Sequence, residues 1–144
     1  MQIDDLPLTE RNDLATTQAD QSVSTVAATL KANNIGAMPV CDQSGAVIGI
    51  ISERDIVQGF AERGAGLGDL KVSDLMTSNV ITCHLGDDVN NIMEIMNENK
   101  IRHIPVLDGD ELYSIVSSRD VMTAVLNETK ANFHTIGLAY ETVR

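Results

Sequence analysis

Three side chains in the stretch GIISERD (49–55) belong to anion and polyol chemistry: the hydroxyl of Ser52, the guanidinium of Arg54 and the carboxylate of Asp55. The stretch SIVSSRD (114–120) ends the same way, in Ser117, Arg119 and Asp120. In both, an apolar run of strand character stops at a serine, and the aspartate falls in the expected first turn of a helix. Free backbone N–H groups at a helix start, with the helix dipole, favour an anion. A serine hydroxyl donates to phosphate oxygens, and an arginine fork matches them in pairs. A carboxylate accepts from two vicinal ribose hydroxyls, as in dinucleotide folds. Together the three residue types spell a ribose phosphate. The same residues also have a plainer use, Ser52 and Ser117 as N-caps and Asp55 and Asp120 as first-turn acids, each worth about 1 kcal/mol or less. Both uses stand open at this level.

The elements that must position these residues are written twice. VSTVAATLKANNIGAMPVCD (23–42) lies over VNNIMEIMNENKIRHIPVLD (89–108), with Val23/Val89, Asn33/Asn99, Ile35/Ile101, Pro39/Pro105 and Asp42/Asp108 in register. After a one-residue change in the turn, Ser52, Arg54 and Asp55 fall on Ser117, Arg119 and Asp120. This is a tandem duplication. In each unit, apolar residues at i, i+3, i+4 and i+7 mark a helix: Val23, Val26, Ala27 and Leu30, then Val89, Ile92, Met93 and Met96. Ser22 caps the first, and Asp87 or Asp88 the second. Two strand-like runs follow as a hairpin, AMPVCD with AVIGIIS and HIPVLD with ELYSIVS. A second helix closes each unit, over 53–64 and 118–130, and a short strand near 14–17 and 79–83 opens it. The expected fold is α+β: two pseudo-twofold repeats of strand–helix–strand–strand–helix, packed sheet to sheet. One unit alone is too small to cover its sheet. The expected divisions are 1–64 for the N-terminal segment and first repeat, 65–78 for a glycine- and charge-rich linker, 79–130 for the second repeat, and 131–144 for a tail.

Composition narrows the function. The net charge of −11 argues against nucleic acid or an anionic membrane as partner. The opening MQIDDLPLTE has no apolar signal-peptide core, and the longest apolar stretch, 46–51, is too short to span a bilayer. A cytoplasmic location is the expectation. Cys41 and Cys83 match no zinc or redox spacing. His84, His103 and His134 are scattered, with no nucleophile motif beside them, so the chain does not read as an enzyme. Only ten Lys and Arg are present, yet Arg54, Lys100, Arg102 and Arg119 sit on the motif segments, with His103 beside them. Scarce cations gathered at two candidate clefts suit an anion, and ordinary surface charge is the alternative.

The order of apolar helix, h-P-V-h-D, turn and G-h-h-S-x-x-D (h, apolar) resembles the CBS domain, named for cystathionine β-synthase. The resemblance covers roughly 14–128, including VSDLMTSNVITC, although the first repeat lacks a pair like Met76–Thr77. It implies a CBS pair, or Bateman module, that dimerises and holds adenosine nucleotides, with the aspartate on ribose and the serine near phosphate. AMP is the first candidate ligand, then ADP, ATP or NAD(H). It also implies that each cleft is shared between repeats. One would join Ser52, Arg54 and Asp55 to Val80, Ile81, Thr82, Lys100, Ile101, Arg102, His103 and Pro105. The other would join Ser117, Arg119 and Asp120 to Ala15, Thr16, Ile35, Gly36, Ala37 and Pro39. Adenine would lie in the aliphatic part of each.

The leading expectation is therefore a regulatory, non-catalytic nucleotide-sensing module, a homodimer or higher, acting on some regulated protein. The alternative is a structural dimerisation module with empty clefts. The first cleft, richer in cations, should favour nucleotides, with His103 adding a cation near pH 6.5. Phe133, Ile136, Leu138 and Tyr140 in the tail either dock on a sister chain or lie over a cleft.

Overall fold

The computed structural model describes the backbone of residues 1–143 and the side chains through His134; Ile136, Leu138 and Tyr140 lie outside the described side chains. Helix α1 (Val23–Asn33) starts where Ser22 accepts a hydrogen bond from the Thr25 N–H, and it buries Val23, Val26 and Leu30. Helix α4 (Val89–Asn99) repeats it, capped by Asp88 and burying Val89, Ile92 and Met96. The expected i+4 position of each stripe faces outward: Ala27 is exposed and Met93 is 37% exposed. A helix lying on one sheet face buries only a narrow stripe. Both helices end in a left-handed residue, Asn34 at φ 52° and Lys100 at φ 54°.

Two antiparallel hairpins follow. In the first, β1 (Ala37–Cys41) pairs with β2 (Val47–Ser52), Ala37 opposite Ser52. In the second, β4 (His103–Asp108) pairs with β5 (Glu111–Ser117), His103 opposite Ser117. The expected opening strands are shorter than the apolar runs suggest. In the first repeat only Thr17 bridges Val40, exchanging hydrogen bonds with the Pro39 carbonyl and the Cys41 N–H. In the second, β3 (Cys83–His84) runs parallel to β4 at Val106 and Leu107, so 79–82 lies outside the ladder. Pro39 and Pro105 have no N–H to give, and each parallel pairing with an opening segment is centred just beyond them, at Val40 and Val106. Helix α2 (Glu53–Arg63) closes the first repeat, with Gly64 as its C-cap. Helix α5 (Ser118–Val143) closes the second and continues without a break past residue 130, through the segment expected as a tail.

The connecting segments cross over. The N-terminal segment, grouped by sequence with the first repeat, packs on the second. Ile3 and Leu6 are buried there with Cys83, Val89, Ile92, Ile104, Val116 and Val121. Its backbone is tied to the same repeat: Ile3 N–H donates to the Asp87 carbonyl at 2.9 Å, and Val89 N–H to the Met1 carbonyl at 3.0 Å. Arg11 pairs with Glu111 at 2.9 Å and lies over the Tyr113 ring. The linker instead serves the first repeat. Its short helix α3 (Val72–Leu75) places Val72 among Val26, Leu30, Met38, Val40 and Ile51. Ile50 and Thr77 exchange two backbone hydrogen bonds, at 3.0 and 2.9 Å, so the linker extends the β1–β2 sheet. Each repeat thus completes its core with chain from outside its own repeated unit.

Candidate nucleotide cleft

At the start of α2 the serine and aspartate form a reciprocal cap. Asp55 N–H donates to Ser52 Oγ at 3.3 Å, while Ser52 N–H and Oγ–H donate to Asp55 Oδ2 at 2.9 and 3.0 Å. Ser117 and Asp120 repeat it: Asp120 N–H donates to Ser117 Oγ at 3.1 Å, and Ser117 N–H to Asp120 Oδ2 at 2.9 Å. The plainer use of these residues is therefore real in both repeats. It also changes the expected anion chemistry. Glu53 N–H donates to the Gly36 carbonyl at 2.9 Å, and Asp55 N–H is taken by the cap, so the helix start offers few free amides. Ser52 commits its hydroxyl proton to Asp55. An anion here must be met by side-chain cations. All three bonds from Ser52 and Asp55 leave the second carboxylate oxygen, Oδ1, outside the cap.

Around this cap the two repeats enclose a cavity of about 280 Å³. Ser52, Arg54 and Asp55 line it from the first repeat, and Val80, Ile81, Lys100, Ile101, Arg102 and His103 from the linker side and the second repeat. Thr82 and Pro105 are not in its wall; Pro105 is buried opposite Ile115 in the β4–β5 ladder. Five residues absent from the expectation for this cleft line it as well: Gly36, Ile50, Glu53, Thr77 and Asn79. Glu53 stands inside the GIISERD stretch itself. Thr77 and Asn79 arrive with the linker, whose pairing to Ile50 no local pattern announces.

Arg54 reaches across the repeat boundary, its Nη1 donating to the Lys100 carbonyl at 3.0 Å. Among the described residues Arg11–Glu111 is the one ion pair, so Arg54, Lys100 and Arg102 have no carboxylate within 4.0 Å. These three cations gather at one rim of a −11 chain, in a cavity that also holds the carboxylates of Glu53 and Asp55. His103 sits behind them. Its ring lies 3.1–3.2 Å from where a Gly36 Cβ would stand, so a side chain there would push the ring by a few tenths of an ångström. Burial lowers its pKa below 6.5, against smaller opposite pulls from Asp120 and Glu53, with Arg102 lowering it further. The expectation of a charge change at the ordinary value is corrected accordingly. His103 also stands between the two expected clefts, since it feels Asp120 of the second motif.

The residues expected for the second cleft come from both repeats. Gly36 lines the first cavity. Ala15 and Ile35 pack on the first repeat's core, and Ala37 and Pro39 are buried in β1. Thr16 lines a separate cavity of about 620 Å³ between the N-terminal segment, α1 and β1. Ser117 and Asp120 are half-buried in their cap, and Arg119 is exposed. Both cysteines are free; burial pushes the thiols up, Cys83 to about 12, so neither is a thiolate at neutral pH.

Comparison with known proteins converges on one family. The family model described as "CBS domain" matches twice, over residues 3–62 and 72–127. An uncharacterized 17.7 kDa protein of Acidianus ambivalens is 35% identical over 107 residues, which is 74% of this chain and 63% of the relative, so the chain spans less than two thirds of that protein. Among solved structures, the CBS-domain containing protein ATU1752 of Agrobacterium tumefaciens is 40% identical with a TM-score of 0.75, covering 78% of this chain and 89% of that one. The CBS domain pair of protein MJ0100, in complex with 5′-methylthioadenosine and S-adenosyl-L-methionine, is 27% identical with a TM-score of 0.79, covering 89% and 98%.

Proposed function

The chain belongs to the CBS-domain family, with two repeats in tandem, and from that premise we propose that it is a regulatory, non-catalytic module that binds an adenosine nucleotide, AMP first among them, in the Asp55 cleft. One observation carries the reading: a single inter-repeat cavity gathers the carboxylates of Asp55 and Glu53 with three cations that form no ion pair among the described residues. Asp55 Oδ1 is the acceptor for the ribose hydroxyls, and Arg54, Lys100 and Arg102 hold the phosphate. Ile50, Val80, Ile81 and Ile101 supply the apolar wall for adenine. Support also comes from MJ0100, whose CBS pair takes two adenosine ligands. The sulfonium ligand among them is cationic, and the rim described here suits a phosphate better. ADP, ATP and NAD share the adenosine phosphate and belong to the same class. The test is calorimetric titration with AMP and 2′-deoxy-AMP. Loss of a hydrogen bond to a charged acceptor should weaken the deoxy compound roughly ten- to 150-fold. Equal affinities remove the ribose role of Asp55, and no binding of either removes the nucleotide.

The reading extends to self-association. Val57 of α2 and Met122 of α5 hold equivalent positions in the two repeats and are 67% and 59% exposed, with Phe60, Leu126 and Phe133 also exposed along the same helices. Apolar side chains repeated on two helices fit an isologous contact with a second copy. The dimer without a ligand is the second reading, and the titration above separates the two.

A further inference from the structure

Helix α5 does not end where its counterpart does. α2 stops at Arg63, the equivalent of Glu128, whereas α5 runs on to Val143, roughly 20 Å further at 1.5 Å per residue. The family match ends at residue 127, so the extension lies outside the repeat. From Leu126 through His134 every residue is exposed: the helix has left the body of its own chain. A lone helical extension of this length is marginal in water, so packing must hold it. Met122, Leu126 and Phe133 are exposed along it, and with Thr129 among them they step by four, three and four residues. In the sequence, Ile136 and Tyr140 continue the alternation. Steps of four and three are the seam of a two-stranded coiled coil, with Thr129 as its one polar place.

What can lie along that seam follows from helix lengths. If a second copy set its first repeat against this second repeat, α5 would run beside an α2 that ends at Gly64, and the extension past residue 128 would have no helix next to it. If like repeats face each other, α5 meets the α5 of the second copy. Only helices side by side in the same direction keep both extensions paired to their ends; crossed or antiparallel ones would diverge.

We infer that a second copy docks second repeat to second repeat, and that the two α5 helices continue past the fold as a parallel, in-register coiled coil through Leu126, Thr129 and Phe133. This deepens the self-association reading above and rests on it, and the experiment separates the two. The test is disulfide trapping in the full chain with Cys41→Ser as background, since Cys83 is buried. In an in-register pair each seam residue faces its own copy, so Leu126→Cys and Phe133→Cys, made separately, should each give a covalent dimer under mild oxidation. Asn127→Cys, also exposed but one step off the seam, should cross-link far more slowly. Phe133→Asp, at a position 70% exposed in the single chain, should weaken dimerisation about tenfold or more by sedimentation. A dimer in which either seam cross-link fails, or in which Asn127→Cys is trapped equally fast, overturns this geometry and leaves self-association standing. So does a mixed covalent dimer of Ala61→Cys and Leu126→Cys chains formed in place of the seam one, since Ala61 is the equivalent position on α2. A dimer that Phe133→Asp leaves as tight as before overturns it too. A wild-type chain that sediments as a monomer at micromolar concentration ends both readings.

Discussion

At Asp55 one carboxylate serves the fold and, in the nucleotide reading, the ligand. Oδ2 closes the cap of α2 and Oδ1 is left over, so the two duties are measurable apart. Asp55→Ala and Asp120→Ala remove equivalent caps and should each cost about 0.5–2 kcal/mol in urea unfolding. AMP titration should tell them apart: Asp55→Ala weakens binding by about tenfold or more, and Asp120→Ala changes it little. The reverse ranking would mean that the nucleotide sits beside the second motif. His103 gives the residue-scale pH dependence. Its folded pKa lies below the unfolded 6.5 because burial disfavours the cation. The unfolded chain therefore binds the proton first, and stability, complete above pH 6.5, falls as the pH drops through that value towards the lower folded one. His103→Gln should flatten this acid limb of a melting-temperature profile. A bound phosphate opposes the burial effect, so nucleotide binding below pH 6.5 should take up protons. The motif residues were legible because their types repeat at a fixed offset. Their caps were legible as well, but sequence could not say which of the two uses the geometry would realise.

At the scale of elements, local pattern and tertiary packing part company. Ser22, Asp88 and the turns at Gly45 and Gly109 are decided within a few residues, so α1, α4 and both hairpins could be read directly. The strand near 14–17 could not, because pairing beside Pro39 leaves it a single bridge. The pairing of the linker could not be read either, because its partner, Ile50, lies 27 positions upstream of Thr77. That contact favours glycine at position 49. A Cβ there would stand 2.7 Å from Met76 Sδ and 3.1 Å from the Thr77 carbonyl, and the carbonyl is fixed by its bond to Ile50. Gly49→Ala should cost about 1–3 kcal/mol in denaturant unfolding. An unchanged midpoint would show that the linker yields. Because Thr77, Asn79 and Val80 also line the cleft, the same variant should weaken AMP binding, although Gly49 itself lies outside the cavity wall.

At the scale of the molecule, the two repeats are held by exchange. Ile3, fully buried, belongs to the core of the second repeat, while Val72 belongs to the first. Ile3→Ala should cost about 2–5 kcal/mol, and unfolding monitored near Tyr113 should show it as strongly as a core substitution such as Ile92→Ala. A cost under about 0.5 kcal/mol would mean that the N-terminal segment is only loosely docked. The proposed second copy is tested by sedimentation: Val57→Asp with Met122→Asp should shift a dimer towards monomer, since both side chains are exposed in the single chain. A wild-type chain that sediments as a monomer at micromolar concentration would end that reading.

The exchanged segments also set an order in time. Ile3 leaves the ribosome 86 residues ahead of Val89, and Val121 follows later still, yet all three share one core. The first repeat can close once Val72 has emerged, whereas Ile3 and Leu6 must wait for the second. At ribosomal rates that wait is on the order of ten seconds. Throughout it, two large apolar side chains have no native partner, which opens a window for chaperone capture or for pairing with a nearby nascent chain.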